Sequence, residues 1–88
     1  MRRSQFEMYI DILKVLAQKG ALRLTHIMYK ANINCKVLKG LLDFLLKKGL
    51  IEERYTGKSK SRKVYANTSK GITVLKYFKE LNKALPAL

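Results

Sequence analysis

Two helical segments separated by only three residues place the tightest limit on how this chain can fold. The first is predicted to run from an N-cap at Thr25 to residue 30 or 31, and the second from Cys35 to Lys48. Between them, Asn32-Ile33-Asn34 predicts a tight turn, because asparagine tolerates turn geometry and the Asn34 side chain can cap the following helix. Two helices joined by such a turn form a helix-turn-helix.

The flanking segments predict a mixed α+β domain around this motif. Ser4-Gln5-Phe6-Glu7 matches the S-x-x-E capping box, so a first helix should run from Ser4 to Gln18. A short extended segment follows at 21–24. Strand-like runs at 50–55 and 63–67 then enclose a polar tip at 56–62, which predicts a hairpin with a wing.

A last helix completes the predicted order of elements, α-β-α-α-β-wing-β-α. Thr68 or Ser69 should cap it, and it should reach about Leu85, because Pro86 cannot prolong a helix. With 88 residues and no linker or repeat, residues 1–88 are expected to form a single domain.

The charge of the chain predicts a polyanionic partner. Nineteen lysines and arginines against six acidic residues give a formal net charge of +13, which costs self-repulsion in the folded state. A basic surface that only keeps the protein in solution is the alternative. A lone Cys35 fits a reducing compartment, and neither a membrane span nor a signal-peptide core follows the basic N-terminus, so a cytoplasmic, nucleoid-associated protein is expected.

Catalysis and nucleotide binding are disfavoured. Gly57-Lys58-Ser59 resembles the end of a P-loop, but the first glycine of that motif would fall at Glu52, whose carboxylate would repel phosphate. The chain has one histidine, His26, no cysteine pair and no separated carboxylate pair in a predicted cleft. We therefore expect no enzyme, metal, cofactor or small-molecule ligand.

Four segments resemble a family of archaeal winged helix proteins. They are LTHIMYKANI at 24–33, LKGLL at 38–42, KGLI at 48–51 and TSKG at 68–71, which are similar to "LTRIMYxANL", "LKxYL", "KGLI" and "TEKG" of that family. Its members are small dimeric DNA-binding proteins and predicted transcriptional regulators. The resemblance implies a winged helix fold and DNA as the partner.

The third predicted helix has one apolar and one basic face. At 100° per residue its leucines point into the core, whereas Lys36, Lys39 and Gly40 lie opposite. The N-terminal part of this helix enters the major groove in a helix-turn-helix, so these residues and Asn34 are predicted to contact DNA, together with Thr25. Asn34 acting only as a cap, and Gly40 as tolerated surface variation, are the alternatives.

The wing and the last helix carry the remaining predicted contacts. The wing side chains predicted to contact phosphates are Lys58, Lys60, Arg62 and Lys63, with a solvated tip as the alternative. Apolar residues cover about 240° of the last helix, more than one domain needs. A dimer interface is therefore predicted at Val74, Tyr77, Phe78, Leu81 and Leu85, against the alternative of full burial in one monomer.

These patterns together predict a homodimer that binds double-stranded DNA. The sequence leaves open whether it is a transcriptional regulator or an architectural chromatin protein. A winged helix that binds RNA or a protein partner is the alternative class of function. The basic wing argues against a purely protein partner but does not separate DNA from RNA.

Overall fold

Four helices and one β-hairpin make up the part of the chain that the computed structural model describes, residues 3–57 and 62–85. The elements are α1 (Gln5–Lys19), α2 (Leu24–Ala31), α3 (Cys35–Lys47), β1 (Ile51–Thr56), β2 (Arg62–Asn67) and α4 (Ser69–Ala84). This order confirms the predicted α+β winged helix architecture. Lys58 and Lys60 lie outside the described residues.

The hairpin pairs antiparallel, with Ile51 opposite Asn67 and Thr56 opposite Arg62. The extended segment before α2 joins it through one residue only. Leu22 exchanges two backbone hydrogen bonds with Tyr65, of 3.0 and 2.8 Å. This bridge connects the start of the helix-turn-helix to the strand that follows the wing.

The predicted N-cap of α2, Thr25, is wrong by two residues. Arg23, in an extended conformation, is the N-cap, and Leu24 is already helical, so Thr25 lies inside the first turn and caps nothing. Leu24 packs against the core while Leu22 is held by its bridge to the hairpin. The chain must therefore turn into the helix between these two residues.

The other helix starts follow the local sequence. Ser4 and Glu7 form the predicted capping box, with both hydrogen bonds at 3.1 Å. The hydrogen bond from the Ser4 backbone lowers the pKa of Glu7. Thr68, rather than Ser69, caps α4 by accepting from the Gly71 amide. Gly49, just after α3, has the predicted left-handed conformation at φ +72°.

The core lies between α1, the helix-turn-helix and the hairpin. Ile12 and Leu13 of α1 are completely buried, as are Ile27 of α2 and Leu38 of α3. All four predicted core leucines of α3 are at most 3% exposed. Because α1 packs against every other helix and β2, it is the central support of the domain.

Arg3 ties the N-terminal segment to the end of α2. Its guanidinium donates to Asp11 of α1 at 2.8 Å and to the backbone carbonyl of Ala31 at 2.7 Å, and it also donates to the carbonyl of Asn32. These carbonyls belong to the last turn of α2, where the helix leaves its acceptors without partners. The contact holds the turn of the helix-turn-helix against α1.

Candidate nucleic-acid interface

The turn between α2 and α3 sets the direction of α3. Asn32 adopts the left-handed conformation, at φ 57° and ψ 53°, and ends α2. Ile33 is buried, and the Asn34 side-chain oxygen accepts a hydrogen bond of 2.9 Å from the Val37 amide. The predicted capping role of Asn34 is confirmed. Because the side-chain oxygen is used by the cap, the side-chain NH₂ group is the part left to contact a base.

The exposed face of α3 carries the side chains predicted to enter the groove. Lys36, Lys39 and Gly40 are all exposed, on the side opposite the buried leucines. A methyl group added at Gly40 would meet no atom within 4 Å. The face is therefore low and open at Gly40, and both lysines lie to one side of this opening.

A cavity of about 470 Å³ lies between this face, the start of α2 and strand β2. Three basic residues from three separate elements line it, Arg23, Lys39 and Lys63, and Thr25 lines it as well. Its remaining lining residues are Leu24, Asp43 and Tyr65. We refer to it as the cationic cavity. It brings together three predicted DNA contacts that lie far apart in the sequence.

Arg23 is the member of this group that sequence analysis missed. It lies in a short segment without periodicity, and no motif marks it. The sequence offered one signal: Arg23 is a basic residue directly before the helix-turn-helix. Its position beside Lys39 and Lys63 depends on the bridge between Leu22 and Tyr65, which brings the start of α2 to the hairpin.

The positive charge of Lys63 is partly balanced by two neighbours in the hairpin. Its Nζ lies 3.7 Å from a Glu53 carboxylate oxygen and 5.6 Å from the centre of the Tyr65 ring. Tyr65, and to a smaller extent the charge of Glu53, raise the pKa of Lys63. The side chain is thus a cation at neutral pH, held near the mouth of the cavity by its two partners.

The described ends of the wing are exposed and basic. Gly57 has φ +90°, a conformation that favours glycine, and it turns the chain away from β1. Arg62 and Lys63 begin β2 with exposed side chains. The Thr56 hydroxyl lies 3.5 Å from the Arg62 carbonyl oxygen across the hairpin. The wing therefore leaves the sheet next to the cationic cavity.

Comparison with known protein families agrees with this geometry. Residues 2–85 match the family model described as winged helix-turn-helix. The chain belongs to the winged helix-turn-helix family. Winged helix-turn-helix domains are binding modules rather than enzymes, which agrees with the expectation of a non-enzymatic domain. No curated protein sequence matches the chain.

Solved structures similar to this winged helix-turn-helix chain include several regulators. YusO from Bacillus subtilis has 20% identity and a TM-score of 0.83, over 91% of this chain and 57% of that one. A MarR family transcriptional regulator from Silicibacter pomeroyi has 18% identity and a TM-score of 0.78, over 90% of this chain and 53% of that one. BpsR from Bordetella bronchiseptica has 14% identity and a TM-score of 0.77, over 88% of this chain and 58% of that one. These likenesses show the fold, and the chain spans little more than half of each protein.

Helix α4 of the winged helix-turn-helix domain has two apolar stripes side by side. Leu75 is buried, and Val74 and Phe78 are half-buried against the domain's own core. Tyr77, Leu81 and Leu85 are 68%, 54% and 51% exposed. We call these last three residues the outer stripe. The predicted interface residues therefore divide between the core and the surface.

An aromatic contact joins α4 to the start of α1. The rings of Phe6 and Phe78 lie 5.8 Å apart, and Phe6 is 58% exposed. Lys14 places its Nζ 5.5 Å from the centre of the Phe78 ring. The apolar face of α4 thus meets α1 at Phe6 and Lys14.

The described parts of the domain contain neither a metal-binding cluster nor a membrane-spanning helix. Within residues 3–57 and 62–85, no group of three or more His, Cys, Asp or Glu side chains is placed to hold a metal ion. Among the helices described there, none is both long and apolar enough to cross a membrane.

Proposed function

We propose that this protein binds double-stranded DNA as a homodimer, with some sequence preference, in the nucleoid as a transcriptional regulator or an architectural chromatin protein. The observation that carries the proposal is the cationic cavity beside the exposed face of α3. It gathers Arg23, Lys39 and Lys63 from three elements, next to the helix that enters the major groove in proteins with this motif.

The two surfaces take different parts of the duplex. Lys36, Lys39 and Gly40 of α3 face the base edges, where lysine reads guanine and the bare glycine permits close approach. Arg23, Thr25 and Lys63 contact phosphates of the flanking backbone. The first turn of α2 adds amides that no side chain caps among the described residues, and such amides favour an anion.

The wing extends the phosphate contacts along the backbone. Lys63 lines the cavity and Arg62 precedes it at the start of β2. Lys58 and Lys60 of the tip add two more cations close in sequence. Phosphate contacts fix the register of a protein on the duplex without reading its sequence. The large positive charge of the chain is explained by this contact with a polyanion.

The proposal draws further support from what two similar proteins do. One is a MarR family transcriptional regulator, and the DNA binding of BpsR is regulated by 6-hydroxynicotinic acid. Both share the fold with this chain at low identity. A role in transcription is therefore carried to this chain as part of the proposal.

The homodimer is proposed from the outer stripe. The outer stripe and Phe6, which lies against Phe78, leave exposed apolar surface on two helices. Such surfaces mark protein contacts. Val74 and Phe78 contact a partner only through the parts of their side chains that the core of their own subunit leaves exposed. A second copy would present a second α3 to the adjacent turn of the duplex.

Binding to a labelled duplex over a salt series tests the proposal, with single-stranded DNA and duplex RNA as competitors. Duplex DNA should bind most tightly. Replacing Arg23 and Lys63 together by Gln should reduce the magnitude of the slope of log K against log salt by about 1.8, or about 0.9 for each lost phosphate contact. The loss should be equal on preferred and random duplexes, since phosphates carry no sequence.

Two control results separate the alternatives. Replacing Lys76 and Lys79 together by Gln, which removes the same two charges from exposed positions of α4, should leave the slope unchanged. Tighter binding to duplex RNA would instead indicate the RNA-binding alternative, and no binding to any nucleic acid would indicate a protein partner. A double variant with the slope of the wild type would place the phosphate contacts elsewhere.

A further inference from the structure

Two exposed apolar side chains interrupt the polar surface of α3, and only one has a partner that explains it. Phe44, 40% exposed, stacks on Tyr9 with ring centres 4.8 Å apart, and Lys48 lies over its ring. Val37 is 41% exposed and lies outside the core cluster. Single exposed apolar residues are common, so it is the position of Val37 that matters.

Val37 lies in the first turn of α3, at the end that enters the major groove in this motif. At 100° per residue it lies about 60° around the helix from Gly40 and on the opposite edge of the face from Lys39. Gly40 has no side chain to cover the Val37 methyl groups, and the space above it is open. The Val37 methyls are thus accessible from the groove-facing side.

The backbone and side chain of Val37 are both held in place. Its amide donates to the Asn34 side-chain oxygen at 2.9 Å, so the first turn is fixed. A β-branched side chain in a helix has one strongly preferred rotamer, and it therefore loses little conformational entropy on making a contact. Lysine, with four flexible side-chain bonds, has no such advantage.

The two edges of the α3 face differ in chemistry. The Lys39 edge adjoins the cationic cavity and suits phosphate and guanine oxygen. The Val37 edge is apolar and rigid. In the major groove the one apolar group that distinguishes a base pair is the C5-methyl of thymine.

We infer that Val37 contacts the C5-methyl group of a thymine in the preferred duplex and so determines one position of its sequence. The inference rests on the proposed function. It adds a base preference that a lysine ammonium group does not supply, because that group donates hydrogen bonds to base oxygen and nitrogen atoms and a methyl group accepts none. It also explains why an apolar residue occupies the edge of the face next to the open surface at Gly40.

The test replaces thymine by deoxyuridine, which pairs identically and lacks only the methyl group. The probe is a duplex of about 20 base pairs enriched from a random pool, enough for two half-sites one helical turn apart. Each thymine is replaced in turn. Wild-type protein should lose about fourfold in affinity at the contacted position, the loss expected for uncovering one methyl-sized group.

Variants of Val37 identify the residue that reads the methyl group. Val37→Ala should bind the thymine and deoxyuridine duplexes equally, and alanine favours the helix. Val37→Ile, which keeps the branched methyls, should retain the fourfold difference. Val15→Ala, the same deletion on α1, should also retain it, and circular dichroism will verify that each variant is folded.

Two results would overturn the inference while the proposed function stands. One is a wild-type protein that prefers the enriched duplex over random DNA but tolerates every deoxyuridine. The other is a Val37→Ala variant that keeps the full deoxyuridine penalty, since another side chain would then read the methyl. A protein that binds no duplex even at low salt would overturn the proposed function itself, and this inference with it.

Discussion

Truncating Leu81 to alanine should weaken the proposed dimer strongly while leaving the fold of each subunit intact. Leu81 belongs to the outer stripe, is 54% exposed and is not part of the core cluster. Alanine preserves the helix propensity of α4. The variant therefore removes apolar area that only a second subunit can cover.

The magnitude follows from the exposed fraction. Leucine to alanine removes three carbons, worth about 2.4 kcal/mol at about 0.8 kcal/mol for each buried CH₂ group. A partner can cover at most the exposed 54% of the side chain, which leaves about 1.3 kcal/mol per subunit. A twofold dimer loses this twice, about 2.6 kcal/mol, or roughly 70-fold in the dimer Kd at about 1.4 kcal/mol per tenfold.

Sedimentation equilibrium over a concentration series measures this change. The wild type should shift between the 10.2 kDa chain and a dimer of twice that mass, and Leu81→Ala should need about 70-fold more protein to reach the same midpoint. Val37→Ala, an apolar truncation at another exposed helical position, is the control and should match the wild type. A wild type that stays at the monomer mass at micromolar concentration, or a variant with an unchanged midpoint, would refute the reasoning.

Three further predictions concern the groove, the packing of α4 and the acid side of stability. Lys36→Ala or Lys39→Ala should reduce discrimination between preferred and random duplexes by about 1–3 kcal/mol in competition binding; equal losses on both would make them phosphate contacts. Gly71→Ala should lower stability by about 1–3 kcal/mol in denaturant unfolding, because its methyl would overlap the Leu50 carbonyl oxygen; wild-type stability would contradict that packing. Because the pKa of Glu7 is lowered by folding, its contribution is present above pH 4.5 and lost as pH falls through the folded pKa. Glu7→Gln should therefore flatten the pH dependence of the urea unfolding midpoint below pH 4.5. A variant whose midpoint varies with pH as in the wild type would exclude this effect.

The sequence alone determined the features that depend on neighbours within one helical turn. The capping box of Ser4 and Glu7 and the Asn34 cap are hydrogen bonds between residues three positions apart. The same local chemistry determined the turn at Asn32, and the 3.6-residue period determined which leucines of α3 are buried. Residue type and spacing are sufficient for such features, because both partners lie in the same segment.

Periodicity was less informative where apolar residues cover most of a helix. On α4 it predicted one broad apolar face that includes Tyr77 and Leu81 and could not divide this face into a core side and an outer side. In the structure Leu75 is buried, whereas Tyr77 and Leu81 are exposed. The pattern shows how wide the apolar face is, but the neighbouring elements decide which part of it they cover.

Only the tertiary structure decided where the basic residues converge. Arg23 and Lys63 lie 40 positions apart in the chain, and they meet Lys39 because the Leu22 bridge to Tyr65 joins the start of α2 to the hairpin. The same bridge, together with the packing of Leu24, moved the start of α2 ahead of Thr25. Backbone pairing across such a separation depends on the whole chain being folded, and no local pattern at Arg23 carries that information.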